Sequence, residues 1–548
     1  MRRTRPSILV TLLAIGTHPL AARQVEPDVG SLLRGRLEVL RAAGGARAGG
    51  DPLLARGALP RFYEARGFEP VWTRDAPLGR LIDLESAVAG AAAHGLDPAD
   101  YHSGALSALV ARVRSGSATA AELADLELLA SDAFMLLGSH LLHGRVHPET
   151  INPEWLANRR SAQMDEVLAE ALAGERVAET LRSLAPQQAR YVRMIAAAER
   201  LRALERAGGW PSVPEGPRLE VGNEGSRVLL LRERLHAGGD LGAQEASGAV
   251  FDEALAAAVR RFQGRHGLAA DGVVGTTTLA AINVPAGARA RQILTNLERW
   301  RWLPDDLGIR HIEVNIAGFD VKVVEAGRVA QTHRAVVGRL YRQTPSFTGL
   351  MTYLVLSPYW HVPPNIAAVD KLPAIKADLG AIAAQRMTLL DQVTNRPVDP
   401  TTVDWASITA PEFNRLYRLR QQPGPFNALG AVKFMFPNRH NVYLHDTPSR
   451  ELFERSARDF SSGCIRIENP LDLAEYLLAD QPEWSRGAIE RAAAAGVERS
   501  VPLTAPVPVH LLYWTAWADE EGVLHFRDDI YGRDATVWRA LVADPPGS

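Results

Sequence analysis

At 548 residues the chain is longer than one ordinary hydrophobic core supports, and it divides into three or four domains. Its 46% apolar and 23% charged residues are those of folded globular protein and exclude extensive disorder. With 61 Lys and Arg against 63 Asp and Glu, no overall field draws in nucleic acid or anionic lipid, and neither is expected as a partner.

In chain order, Arg2, Arg3 and Arg5 precede an apolar run over 8–16 and the small residues Ala21 and Ala22. This is the grammar of a signal peptide over 1–22; the run is short beside the ~20 apolar residues of a membrane span. Residues 30–210 read as a helical scaffold. Leu123, Leu126, Ala130, Phe134 and Leu137, then Tyr191, Met194, Ile195, Ala198 and Leu201, recur near the 3.6 period. His140, His143 and His147 adjoin the Gly144 break without a nearby carboxylate, which points to a solvated helix end rather than a metal site. A breaker-rich linker over 208–217 follows.

Residues 219–284 form a small three-helix module. Val228, Leu231 and Leu235 mark one helix, Leu255, Val259 and Phe262 a second, and Leu279 and Ile282 a third. Asp252 and Thr276 are expected N-caps and Asp271-Gly272 a turn. From about 290 to 548 the period becomes two, as in Ile312, Val314 and Ile316, then Phe319, Val321 and Val323. Further strands are expected at 352–356, 432–436, 442–444, 509–514 and 523–526. The stretch 375–422 breaks this spacing and reads as a capping insertion. The fold class is therefore multidomain α+β.

The chemistry concentrates near the end of this β-rich region. A strand over 441–444 delivers His445 at its end, and Thr447 and Pro448 are suited to start a short helix. Nineteen positions after His445 comes Cys464, within Ser461-Ser462-Gly463-Cys464-Ile465-Arg466, ahead of a helix that Asn469-Pro470 opens. Cys464 is the sole cysteine of the chain. An exported protein would pair its cysteines as disulfides, so a lone one is a buried small hydrophobe, an intermolecular bridge or a reactive thiol. A thiol with an ordinary pKa of about 8.5 needs an imidazole or a positive environment to act as a nucleophile. His445 is placed to help. Gly463 allows close backbone approach, and N–H groups around Cys464 suit an oxyanion.

Tyr443-Leu444-His445-Asp446-Thr447-Pro448 followed by Ser461-Ser462-Gly463-Cys464-Ile465-Arg466 resembles the signature of L,D-transpeptidases with the YkuD-type catalytic domain. The usual motif has His where this chain has Ser462, a variant similar to the large, scaffold-bearing branch of that family. Val337-Gly338-Arg339, Arg342-Gln343-Thr344-Pro345, the stretch Pro358 through Pro364, Asn427-Ala428-Leu429-Gly430 and Tyr513-Trp514-Thr515-Ala516-Trp517 resemble the same branch, with His361 in place of an expected Asn. The small module, through Phe262-Gln263 and Asp271-Gly272-Val273-Val274-Gly275, resembles peptidoglycan-binding domains. Binding sugar or peptide, and merely bracing its neighbours, both fit it.

The resemblance implies that Cys464 attacks the third residue of a donor tetrapeptide stem and that His445 serves as base and acid. An acceptor stem then takes the acyl group in a 3→3 cross-link. It places Tyr443 near the oxyanion or base and makes Arg466 and Trp360 site-shaping groups, where an ion pair and core packing are the structural alternatives. It implies periplasmic action, peptidoglycan stems as partners, carbapenem-type β-lactams as inhibitors, no cofactor or metal, and room for other wall-synthesis proteins. Three rival functions remain open at this point: an L,D-carboxypeptidase using the same residues, a non-catalytic wall-binding scaffold, and a metallopeptidase, for which no HExxH pattern is present.

Overall fold

The computed structural model describes residues 28–74, 78–151 and 160–543. The expected export signal over 1–22 lies outside the described residues. The N-terminal region is built round the helix Ala120–His143, which Thr119 and Glu122 open with a reciprocal capping box. Apolar residues on all its sides, Leu126, Leu129, Phe134 and Leu137 among them, require a cover of further helices. Two carboxylates buried on it are satisfied from loops. Glu127 accepts the N–H groups of Val71, Trp72 and Thr73, and Asp132 those of Leu54 and Ala55. These acceptors fold non-helical chain onto the helix beside the hairpin of β1 (Arg47–Ala48) and β2 (Asp51–Pro52). His140 is not solvated as the sequence suggests: the covering helices bury it, and its Nδ1 bonds the Tyr101 hydroxyl at 2.9 Å.

The small module has helices Ser226–Ala237, Glu253–Arg265 and Thr276–Ile282. Val228, Leu231, Leu235, Leu255, Val259, Phe262 and Ile282 form its core. Asp252 caps the second helix through the Leu255 N–H, whereas Gly275, not Thr276, occupies the N-cap of the third. The side chain of Gln263 explains the turn that follows. It is buried, accepts the Gly272 N–H and donates to the Asp271 carboxylate and the Val273 carbonyl.

The C-terminal region begins with β3 (Arg310–Asn315), β4 (Asp320–Glu325), β5 (Arg328–Gly338) and β6 (Phe347–Leu356). A capping sub-domain interrupts it with short helices and β7 (Trp360–His361), β8 (Met387–Asp391) and β9 (Tyr417–Gln421). The main sheet resumes with β10 (Val432–Met435), β11 (Leu444–His445), β12 (Asp459–Ser461), β13 (Ile465–Ile467) and β14 (Arg499–Leu512); β15 (Ala516–Ala518) and β16 (Leu524–Phe526) form a hairpin beyond it. Spatially the order is β5-β13-β11-β10-β6-β14-β3-β4, and β4 pairs back with β5, closing a ring that needs no free edge there. Alternate residues such as Ile312, Val314, Leu354, Phe434 and Leu511 fill it.

Three expectations shift. The expected strand over 442–444 reduces to β11, because Asn441 at φ +54° and the Asn438 side chain, which accepts the Val442 N–H, hold a turn there. Strand β5 escaped sequence reading because its first half is exposed and lacks apolar alternation. The capping core runs from Trp360 to Leu429, wider than 375–422, since the two residues of β7 are too few to show a period.

Helix Ala286–Arg301 joins these regions by packing on helix Ala189–Arg206. At its end Arg301 and Glu298 form an ion pair, both fully buried. Arg301 also donates to the His94 carbonyl and Tyr191 hydroxyl, and Glu298 accepts the Val146 N–H and Trp302 Nε1. Removing one member strands the other charge, so Glu298→Ala is expected to lower stability by about 3–5 kcal/mol. Denaturant unfolding of full-length protein checks this; a loss under about 1 kcal/mol, the range of an exposed pair, contradicts it.

Candidate active site

Pairing between β11 and β13 brings the thiol and the imidazole onto one surface. The strands run parallel, with Leu444 opposite Ile465 and His445 opposite Arg466. Leu444 and Ile465 enter the barrel core, so alternation turns Tyr443, His445, Cys464 and Arg466 to the opposite face. All four line a cleft of about 890 Å³, roofed by the capping residues Trp360 and Lys371. Cys464 and His445 are thus diagonal neighbours on strands ~4.8 Å apart.

The His445 Nδ1 bonds the Asp446 carbonyl. A carbonyl only accepts, so Nδ1 carries the proton and Nε2 keeps its lone pair. Asp446 is itself fixed: its N–H donates to the Val432 carbonyl, and its carboxylate accepts the Ala431 N–H at 2.8 Å and faces Arg450 at 3.1 Å. Burial, helped by Arg466 and Lys433 and opposed by the Asp446 carbonyl, pulls the imidazole pKa down to about 3. His445 is therefore neutral, with the Nε2 lone pair unprotonated.

Cys464 is partly exposed along the cleft, yet its surroundings are dense enough that burial pushes the thiol up. The Tyr443 N–H and hydroxyl, then Lys433 and Arg466, act against this. Its S–H is directed at the Asn441 carbonyl, 3.8 Å away. The resting pair is a neutral thiol beside a neutral imidazole. Gly463 holds φ +116°, a conformation side chains disfavour, and the turn is tied by Ser461, whose Oγ accepts the Gly463 N–H and donates to the Cys464 carbonyl. The Gly463 N–H is thereby occupied and is not available to an incoming oxygen.

Residues 309–500 match the family model "L,D-transpeptidase catalytic domain". This stretch belongs to the L,D-transpeptidase catalytic domain family. Residues 57–197 match "Scaffold domain" and 224–282 match "Putative peptidoglycan binding domain". The chain is 35% identical over 248 residues to a Haemophilus influenzae protein named "Putative L,D-transpeptidase". That similarity covers 45% of this chain and 49% of the relative, about half of each. Solved L,D-transpeptidase structures from Stackebrandtia nassauensis and Xylanimonas cellulosilytica are 13% and 16% identical, with TM-scores of 0.23 and 0.18. Each match covers 55% of this chain, and 96% and 100% of those chains.

Within the L,D-transpeptidase domain, a further group holds the cysteine turn from outside. Arg342 donates to Ser462 Oγ at 3.0 Å and pairs with Asp370 of the capping sub-domain at 2.5 Å. Gly338 makes this approach feasible, because a Cβ there would overlap the Arg342 carbonyl oxygen. Sequence reading missed Arg342, Asp370, Lys433 and Asn441 as site residues. For Lys433 a signal existed: it stands between the buried Val432 and Phe434, opposite His445, and its Nζ lies 4.2 Å from the Tyr443 ring centre. Trp360 is both core and wall, since it is buried in the capping core, borders the cleft and carries Lys371 over its ring at 5.4 Å. Arg466 borders the cleft, and its buried Nε has no hydrogen-bond partner among the described residues.

Because the thiol is held up and the imidazole down, thiolate appears as pH rises and no ion pair precedes it. Alkylation of the free protein by iodoacetamide is expected to rise about tenfold per pH unit through neutrality, levelling only above the ordinary thiol pKa of about 8.5. A rate flat between about pH 5 and 8 indicates a preformed thiolate–imidazolium pair and contradicts this. Arg342→Ala, which unties the turn from the cap, is expected to slow substrate turnover about tenfold, as misplaced reacting groups do, with the melting temperature nearly unchanged. Steady-state kinetics beside thermal unfolding distinguishes this from general destabilisation.

Proposed function

We propose that the protein is a peptidoglycan L,D-transpeptidase acting in the periplasm, with Cys464 as nucleophile and His445 as general base and acid. The observation that carries this reading is the juxtaposition on β11 and β13 of a thiol with a neutral imidazole whose Nδ1 is committed to the Asp446 carbonyl. The sulfur leaves the Asn441 carbonyl and gives its proton to Nε2. The thiolate then attacks the carbonyl carbon of the third, diaminopimelate-type residue in a donor tetrapeptide stem.

The Cys464 N–H and the Tyr443 hydroxyl stabilise the developing oxyanion, with Lys433 and Arg466 supplying positive charge. Collapse breaks the C–N bond, D-alanine departs with the proton from His445, and a thioester remains. Nε2 next takes a proton from the side-chain amine of an acceptor stem. Attack by that amine forms the 3→3 amide and returns the thiol. The thioester keeps the acyl potential of the cleaved amide, so no nucleotide enters.

At about 890 Å³ the cleft is large enough for a peptide stem, near the upper end of single-ligand pockets, which run to about 1,000 Å³. Among the described residues no helix is long and apolar enough to cross a membrane. The small module is proposed to hold the enzyme to the polymer, and wall-synthesis proteins are natural companions.

Incubation with a carbapenem is expected to add one inhibitor mass at the peptide containing Cys464, and none in Cys464→Ser. An adduct retained by that variant overturns the assignment. With a tetrapeptide donor and an acceptor stem the expected product is a 3→3 dimer, and His445→Gln is expected to lose about 10²–10⁴-fold in rate. Tripeptide alone, with acceptor present, identifies a carboxypeptidase instead.

A further inference from the structure

A group of arginines lies away from the cleft, where helix Ala189–Arg206, the linker, the small module, helix Ala286–Arg301 and β16 meet. Arg200, Arg234, Arg265 and Arg289 line a cavity of about 60 Å³, and no carboxylate among the described residues lines it. Arg234 is 1% exposed and Arg289 is 8% exposed. Asp240 compensates one cation, since it takes two hydrogen bonds from Arg265, at 2.6 and 2.5 Å. Asp528 attracts Arg289 from outside the lining.

The guanidinium groups of Arg234 and Arg289 are incompletely satisfied. Arg234 Nε donates to the Ile282 carbonyl and its guanidinium lies 3.6 Å from the Trp210 ring centre, but its buried Nη1 has no partner among the described residues. Arg289 donates from its terminal nitrogens to Gln292 and the Ala281 carbonyl, and its buried Nε has no partner among them. His266, also in the lining, donates Nδ1 to the Phe262 carbonyl, and burial with the three inner arginines keeps it neutral. Burying like charges with fewer counter-charges than cations is costly, and unmet N–H donors add to that cost. One anion relieves both.

We infer that this cavity binds a small anion, either a halide or one tetrahedral oxyanion, through Arg234 and Arg289, with Arg200 at its mouth, and so fastens the small module to its neighbours. The volume excludes a stem peptide. The inference is independent of the transpeptidase reading, because it concerns different residues and a different ligand.

Thermal unfolding of the full-length protein tests it. The starting buffer is potassium gluconate, whose anion is too large to enter, and chloride or inorganic phosphate replaces gluconate at fixed ionic strength. The melting temperature of the wild type is expected to rise saturably, by about 5 °C, with one-site dependence. Arg289→Met is expected to lose the rise and, in gluconate, to melt at or above the wild type, because a repelling buried charge is gone. An arginine with a purely structural role would make the variant melt lower in every salt. That result, or an equal anion response in both proteins, overturns the inference. If the variant does not fold, bromide in wild-type crystals replaces it: an anomalous peak within hydrogen-bonding distance of Arg234 sustains the site, and an empty cavity refutes it.

Discussion

The parallel register of β11 with β13 is the constraint on which the site depends. A shift of one residue on either strand would turn that strand's cleft residues into the barrel core and bring Leu444 or Ile465 out in their place. Both side chains are fully buried, so the apolar face fixes the register and the polar face follows from it. The interval between His445 and Cys464 has the same origin. Adjacent parallel strands require a connection of a dozen or more residues, and 446–464 provides it, with β12 formed on the way. A spacing that looks arbitrary in sequence is thus a crossover length.

Burial then sets the charge state. The same low-dielectric face penalises thiolate and imidazolium alike, which keeps both partners neutral although Lys433 and Arg466 stand close by. Those cations favour the thiolate and oppose the imidazolium. In the proposed mechanism, proton transfer from sulfur to Nε2 would consequently gain on one partner and cost on the other. What makes the pair useful is geometry: the Asp446 carbonyl takes the Nδ1 proton and fixes which nitrogen can act, while Ala431, Val432 and Arg450 hold Asp446.

Local sequence pattern revealed the α+β fold class and the module core from Val228 to Ile282, and it singled out Cys464 and His445, which the structure places on one face of adjacent strands, because those readings rest on periodicity, caps and a compact motif. It did not reveal β5 or β7, whose residues lack an alternating apolar face or are too few to show one. His140 misled for a related reason: polar residues at a helix end look solvated until other helices cover them. Arg342 stood in a family-like motif, but its link to Asp370 was illegible because it is a three-way contact among the loop after β5, the capping sub-domain and the cysteine turn. No periodicity connects positions 342, 370 and 462. Lys433 belongs between these cases, visible as a lysine among buried neighbours but without its partner.

The same reasoning accounts for the large scaffold around a modest catalytic barrel. One apolar core runs without interruption from the N-terminal helices through Ile293 and Leu297 to Leu512, Trp514 and Val537. From that anchored C-terminal segment, Tyr531 donates to the Gly338 carbonyl at 2.5 Å and accepts the Thr344 N–H, and Arg533 bonds the Thr344 carbonyl and Ser346. Thr344 in turn accepts the Gly338 N–H and donates to the Gly463 carbonyl at 2.9 Å, one residue from the thiol. Glycine is free to adopt many conformations, so the φ of +116° at Gly463 is held only where the surroundings fix the turn. Here they do so through a continuous series of hydrogen bonds whose far end is the scaffold core, so the helical domain can serve the chemistry without touching the cleft.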